Sequence, residues 1–273
     1  MIARDSDGQP VYRNLPHLRK RLLVYSSMLT LEDVQGTEPE VRVTTRYVLP
    51  TPQQAALYAA LQVDGVATHN GGLLTADTTL SLATRLCQVV GGFVPTDDDP
   101  VAASCTPDNP KVAEVITILD ELGPDEKVVI WCRFTAEINA VVNEIAFVHG
   151  AASVVQYDGS TSAADRTTAK LRFVRDPACR YFVGQVKAGG TGVDGLQAAA
   201  HYMIFYSNDY SYTIREQAIA RLARIAGSLV VNVIDLMMDN TVDCDVVRCM
   251  QTAQDVHATV LRKHVEPVAL PVK

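Results

Sequence analysis

Two segments in the last third of the chain combine residue types suited to phosphate chemistry. The first is Gln185-Val186-Lys187-Ala188-Gly189-Gly190-Thr191-Gly192-Val193-Asp194-Gly195, a glycine-rich stretch whose backbone amides can approach a ligand closely. The second is Gln217-Ala218-Ile219-Ala220-Arg221-Leu222-Ala223-Arg224, which sets two arginines three residues apart. Glycine backbone and paired guanidinium groups are what proteins use to meet phosphates and to neutralise charge on a transferring phosphoryl group. The chain has no G-x-x-x-x-G-K-[ST] loop to cradle a triphosphate, and no acidic pair follows an early strand to hold magnesium. What chemistry there is therefore looks like part of a site.

Gly190-Thr191-Gly192-Val193-Asp194-Gly195 also reads as G-x-G-x-x-G, with Glu216 about 20 residues on, the spacing of a dinucleotide fingerprint. Length argues against that reading. The next strand begins near Tyr202, whereas a crossover helix between parallel strands needs about a dozen residues or more. A tight structural turn and a loop that brings amides to a ligand both remain open. On a helical wheel Ile214, Ala218, Leu222 and Ile225 share one arc, with Gln217, Arg221 and Arg224 in the arc beside it. These three belong at the rim of the core, and Arg215 and Glu216 on the solvent side; structural ion pairs are the competing role for the arginines. Asp158-Gly159-Ser160-Thr161 ends a strand just before a helix, so its amides and hydroxyls suit either a backbone phosphate or a plain capped turn. The six histidines show no metal-ligand spacing, and no G-x-S-x-G elbow supports a hydrolase triad.

The elements that must carry these residues follow from the apolar pattern. Helical spacing at 111–122, 136–148, 163–174, 213–225 and 241–262 alternates with apolar strands at 128–132, 152–157, 181–186, 202–206 and 229–236. Continuously apolar strands alternating with helices predict an α/β fold with a parallel sheet covered on both faces. The first 110 residues differ: helices are expected at 12–23, 53–61 and 78–89, an alternating strand at 41–49, and Gly-, Asp- and Pro-rich loops between them. We read that part as a helical attachment.

The 273 residues hold 48% hydrophobic residues, enough for a proper core, and no run of about 18 apolar residues. A net charge of −7 argues against coating by nucleic acid but leaves room for a local basic track. Cysteines 87, 105, 132, 179, 244 and 249 form no C-x-x-C pair and read as reduced core residues of a cytosolic protein.

In this order the segments resemble the C-terminal motor lobe of superfamily-two helicases, specifically the Swi/Snf-type DNA translocases. Lys127–Phe134 (KVVIWCRF) resembles that family's motif four. Tyr157–Thr161 followed by Arg166 resembles its Y-x-G-x-[ST]…R element, Gln185–Asp194 its motif five, and Gln217–Ile225 its motif six. Residues 14–34 and 48–61 resemble the stretch that joins the two lobes, and 231–242 the closing strand. The chain departs from the family at Ala223, usually histidine, at Ala226-Gly227, usually Gly-Gln, at the added Gly195, and at Asn208-Asp209-Tyr210-Ser211-Tyr212 in place of a Trp-rich stretch. Those departures suggest a divergent, viral-type branch.

The resemblance implies a RecA-like three-layer lobe over 111–273, preceded by a lobe-connecting segment at 1–50 and a helical protrusion at 51–110. It implies that Arg221 and Arg224 are arginine fingers, and that Gly192, Asp194 and Gln217 lie on the nucleotide side. Arg133, Gly159, Ser160, Thr161, Gln185, Lys187 and Thr191 would line a DNA track. ATP with magnesium would be bound mainly by an N-terminal helicase lobe supplied in trans, since the chain reads as beginning where that lobe ends. Duplex DNA is the implied partner, no membrane is involved, and the location is cytoplasmic, or host cytoplasm for a viral protein. The competing expectation is a non-catalytic module that binds DNA or a helicase.

Overall fold

The computed structural model describes residues 14–25, 39–97, 103–104, 108–189, 193, 195–223 and 230–261. The chain divides into two compact units. One is formed by residues 39–247; the other comprises the segments before residue 39 and from 248 onward. Of the second, the structure describes helix α1, Leu15–Tyr25, and the latter part of the last helix, α9, Val242–Leu261.

The larger unit is organised by Val128–Cys132, strand β6, in which all five residues are buried. A strand apolar on both faces must lie inside a sheet with cover on each side. Around it stand β1 (Val41–Val48), β7 (Val154–Tyr157), β8 (Tyr181–Gln185), β9 (Tyr202–Phe205) and β10 (Val231–Met238). The order is β1-β10-β9-β6-β8-β7, and every pairing is parallel. The intervening helices are α4 (Pro110–Glu121), α5 (Thr135–His149), α6 (Ala163–Arg175), the short α7 (Val186–Gly189) and α8 (Tyr212–Ala220). This is the expected RecA-like lobe with a parallel sheet. Its core holds Trp131, Tyr157, Phe173 and Phe182, with ring centroids 5.4–5.9 Å from Phe182. Such separations favour edge-on and tilted aromatic contacts.

Helix starts follow side-chain caps. Asn109 accepts from the amides of Lys111 and Val112 ahead of α4, Ser162 accepts from Asp165 ahead of α6, and Ser211 accepts from Ile214 ahead of α8. Helix α8 stops at Ala220, so Arg221 stands in a turn rather than within the helix expected to 225.

The N-terminal part departs from the expected helical attachment. Its alternating strand is β1, and it forms an edge of the main sheet, paired from Val41↔Val231 to Val48↔Met238. Six of its eight residues are exposed because only one neighbour covers an edge strand. The sequence alternates but the burial does not, since Val41 to Thr45 are all exposed. Helices α2 (Pro52–Asp64) and α3 (Thr79–Gly91) form as expected. Between them, residues expected as loop pair as a hairpin, β2 (Val66–His69) with β3 (Gly72–Thr75). Its turn uses Asn70 at φ 50 and Gly71 at φ 81, the two positive values that a tight hairpin turn requires. A second short pair joins β4 (Phe93–Val94) to β5 (Ala103–Ser104).

Candidate functional site

Because the strands are parallel, all their C-terminal ends emerge on one edge of the sheet, where open α/β folds place their ligands. Cys132 pairs with Gln185 and Tyr157 with Gly184, so the ends of β6, β8 and β7 lie side by side. At about 4.8 Å per strand that row spans about 10 Å. It brings together Arg133, Gly159, Ser160, Thr161, Gln185 and Lys187, all candidates from the sequence.

Their side chains are already engaged. At the end of β7 the Asp158 Oδ1 accepts from the Ser160 amide (2.8 Å), the Ser160 hydroxyl (2.6 Å), the Thr161 amide (3.1 Å) and the Thr161 hydroxyl (3.1 Å). The Gln156 amide donates to Oδ2 at 2.7 Å. Burial alone would raise the Asp158 carboxyl, but the hydrogen bonds from Ser160, Gln156 and Thr161 outweigh it and hold the group at about 2. The donors expected to be open to a phosphate thus surround a carboxylate. At the end of β8 the Gln185 amide donates to the Arg133 carbonyl at 3.1 Å, and Lys187 Nζ lies 3.0 Å from Asp209 Oδ2. The Arg133 guanidinium lies over the Phe134 ring, 4.9 Å from its centroid, and donates to Cys87 Sγ at 3.3 Å.

A buried polar layer fixes this edge from behind. Glu137 Oε2 accepts from the amides of Arg133 (3.0 Å) and Phe134 (3.1 Å) and from the Ser207 hydroxyl (2.5 Å), while Ser207 accepts from the Arg133 amide at 2.8 Å. The ends of β6 and β9 are thereby joined through one carboxylate. Burial raises the Glu137 carboxyl above its ordinary value, opposed by the Ser207 bond and the Lys111 charge. Lys111 is itself wholly buried, with Nζ 2.9 Å from Asp243 Oδ2. Glu137, Ser207, Lys111 and Asp243 escaped sequence reasoning, because none lies in a motif and their partners are far away in the chain.

The glycine-rich loop follows β8. Thr191, Gly192 and Asp194 fall outside the described residues, as does Arg224 of the arginine pair. Around them Val193 and Leu196 are fully buried, and Gly195 adopts φ 105, a left-handed value open to glycine. The described parts of the path to β9 are α7 and a 3-10 turn, Leu196–Ala198, and not the crossover helix of a dinucleotide fold.

Helix α8 starts beside the end of β9 and carries the chain back toward the opposite edge, since β10 runs parallel to β9. Arg221 therefore stands about 13 Å along the helix from Tyr212. It is half-buried, between the buried Ala218 and Ile219 on one side and Leu222 and Ala223 on the other, while Gln217 is exposed. Arg215, assigned to solvent by the wheel, is instead locked inward. Its guanidinium meets the Asp235 carboxylate at 2.6 and 2.8 Å, donates to Asn208 Oδ1 at 2.8 Å, and lies 4.4 Å from the Phe205 ring centroid. The wheel failed because it treats α8 as packed only on its flank, whereas the loop after β9 folds over its first turn. The available signal was Asp235, an acid inside the apolar run of β10.

Among the described residues no group of three His, Cys, Asp or Glu could hold a metal ion. Of the six cysteines, Cys87, Cys132 and Cys179 are buried free thiols, Cys244 is half-buried and Cys249 exposed, both on α9. Burial pushes the Cys87 thiol up to about 11. Among the described residues no helix is long and apolar enough to cross a membrane.

Comparison with known proteins places this geometry. Residues 110–226 match the helicase conserved C-terminal domain family. DNA repair protein RAD5 of Candida albicans is 24% identical over 145 residues, 52% of this chain and 13% of that protein. An uncharacterized ATP-dependent helicase of Schizosaccharomyces pombe is 30% identical over 138 residues, 49% of this chain and 13% of its own length. The chain thus spans a small part of the curated relatives it matches. In fold it is similar to the C-terminal part of the Fun30 ATPase domain, with a TM-score of 0.60 and 14% identity over 82% of this chain and 98% of that one. The SWI2/SNF2 ATPase C-terminal domain of Sulfolobus solfataricus aligns with a TM-score of 0.56 and 21% identity, over 79% and 87% of the two chains. Residues 110–226 are thus similar to the helicase conserved C-terminal domain, and the fold is that of the C-terminal lobes of SWI2/SNF2-type ATPases.

Proposed function

We propose that this lobe is half of an ATP-driven motor on duplex DNA. An N-terminal lobe supplied in trans holds ATP and magnesium on its own P-loop and acidic pair. Arg221 and Arg224 enter that cleft and neutralise charge on the γ-phosphoryl group as it transfers, with Gly192, Asp194 and Gln217 on the nucleotide side. Arg133, the 159–161 turn, Gln185, Lys187 and Thr191 track the DNA backbone. The observation that carries the reading is the row of strand ends β6, β8 and β7, which sets Arg133, Ser160 and Lys187 along one edge.

The test is ATP turnover by this chain mixed with a P-loop-bearing first lobe, with and without duplex DNA. Turnover should need both proteins, rise with DNA, and fall by about 10³-fold or more on Arg221→Ala. Hydrolysis by the purified chain, abolished by Arg221→Ala, would refute the half-site. Ala223, buried where the resembling family has histidine, favours a second reading: a non-catalytic module that binds DNA or a helicase. That module would bind DNA with no turnover in any mixture.

A further inference from the structure

The groups expected to meet phosphates at the sheet edge already meet carboxylates. Asp158 gathers the amides and hydroxyls of Ser160 and Thr161. Asp209, on the loop after β9, reaches across to Lys187 after β8, 3.0 Å away. The two members of that pair are unlike. The Lys187 side chain is 62% exposed and can turn outward, whereas Asp209 is 16% exposed. Its neighbour Asn208 is buried, donating to Asp235 Oδ1 at 3.1 Å and accepting from Arg215. A largely buried carboxylate facing an exposed ammonium imitates the charge and the contact distance of a backbone phosphate.

We propose that Asp209 is a built-in competitor for the DNA backbone at Lys187. It lowers duplex affinity and makes the track engage only when a phosphate displaces it. This rests on the assignment of Lys187 to the DNA track given above. Because the Lys187 ammonium is solvated, the pair is screened from that side and a polyanion can displace the carboxylate. The carboxylate nevertheless taxes every encounter, because Lys187 must leave it and the phosphate must approach a like charge. Of the neighbouring charges, Arg215 and Asp235 neutralise one another, which leaves Asp209 as the carboxylate that faces Lys187.

The test uses the full chain and a short fluorescein-labelled duplex, with anisotropy titrations across a series of salt concentrations. Asp209→Asn keeps the shape and removes the charge. It should tighten binding about three- to tenfold and steepen the dependence of log K on log salt by about 0.9, one added phosphate contact. In the double variant Asp209→Asn with Lys187→Ala, both gains should vanish. If wild-type chain binds duplex and Lys187→Ala weakens it, yet Asp209→Asn changes neither affinity nor salt slope, the competitor is refuted and the DNA track stands. A gain that survives in the double variant also refutes it, since the effect would then be one of general charge. If neither wild type nor Asp209→Asn binds duplex at any salt, the DNA track itself fails and the competitor with it. Asp209→Ser, with melting compared to wild type, gives the same reading should the Asn variant fold poorly.

Discussion

Asp158 and Glu137 are both buried carboxylates at the working edge, yet their environments push them in opposite directions. Asp158 collects five hydrogen bonds and sits at about 2, below the unfolded value of about 3.9. A carboxyl with a lowered folded value adds stability that is present above the unfolded value and lost as pH falls through the folded one. Asp158→Asn keeps an acceptor and loses the charge. Wild type should therefore exceed the variant by about 2 kcal/mol near neutrality, and the difference should fade between about pH 4 and 2. Urea unfolding at a series of pH values reads this directly, and a constant difference would contradict it. Glu137 lies above its ordinary value, so its contribution has the opposite sign, full at low pH and lost as pH rises through the raised value. At this scale the sequence was informative where a residue sits in a motif: Arg133, Gly159, Ser160, Thr161, Gln185 and Lys187 do stand on one edge. It was silent on what those residues touch. Glu137 meets Ser207 and Lys187 meets Asp209 through closures of the chain that no local period encodes.

Among the elements, α8 depends most on a single residue. The Arg215–Asp235 pair is bidentate and nearly dry, with side chains 11% and 5% exposed. It joins the helix that leads to Arg221 with β10 and, through Asn208, with the end of β9. Removing one partner of a buried pair leaves the other charge uncompensated, so Arg215→Ala should destabilise the lobe by about 3–5 kcal/mol. Arg215→Lys should recover only part, because an ammonium cannot span both carboxylate oxygens. Denaturant midpoints of the two variants test this; equal midpoints for Ala and Lys would show that the fork geometry does not matter. Helix existence was legible from apolar spacing for every long helix. Helix ends were less so: α8 was expected to reach 225 and stops at Ala220, since Leu222 and Ala223 are drawn into the core by a turn. The hairpin β2–β3 carried its signal in Asn70-Gly71, but its strands are four residues each, too short to show a period.

At the scale of the whole molecule, the parallel sheet was visible in the alternation of apolar strands and helices, but its membership was not. Strand β1 reads from sequence as part of a connector, because an edge strand alternates like many amphipathic segments. Its place in the sheet is decided by β10, which offers Val231, Val233 and Met237 along one flank. A chain shortened to begin at Thr51 should therefore lose cooperative unfolding or aggregate, since β10 would become a bare apolar edge. If that shortened chain melts as sharply as the full one, β1 is a dispensable connector after all. The β1–β10 pairing also has a bearing on time. Val41 and its partner Val231 are separated by about 190 residues, so on a ribosome adding about 5–20 residues per second the first strand waits about 10–40 s for the strand that completes its pairing. During that interval Val41, Val43 and Tyr47 belong to a nascent chain with no sheet to join, and Arg42 and Arg46, spaced between them, are the charges that keep the segment from pairing with a neighbour's.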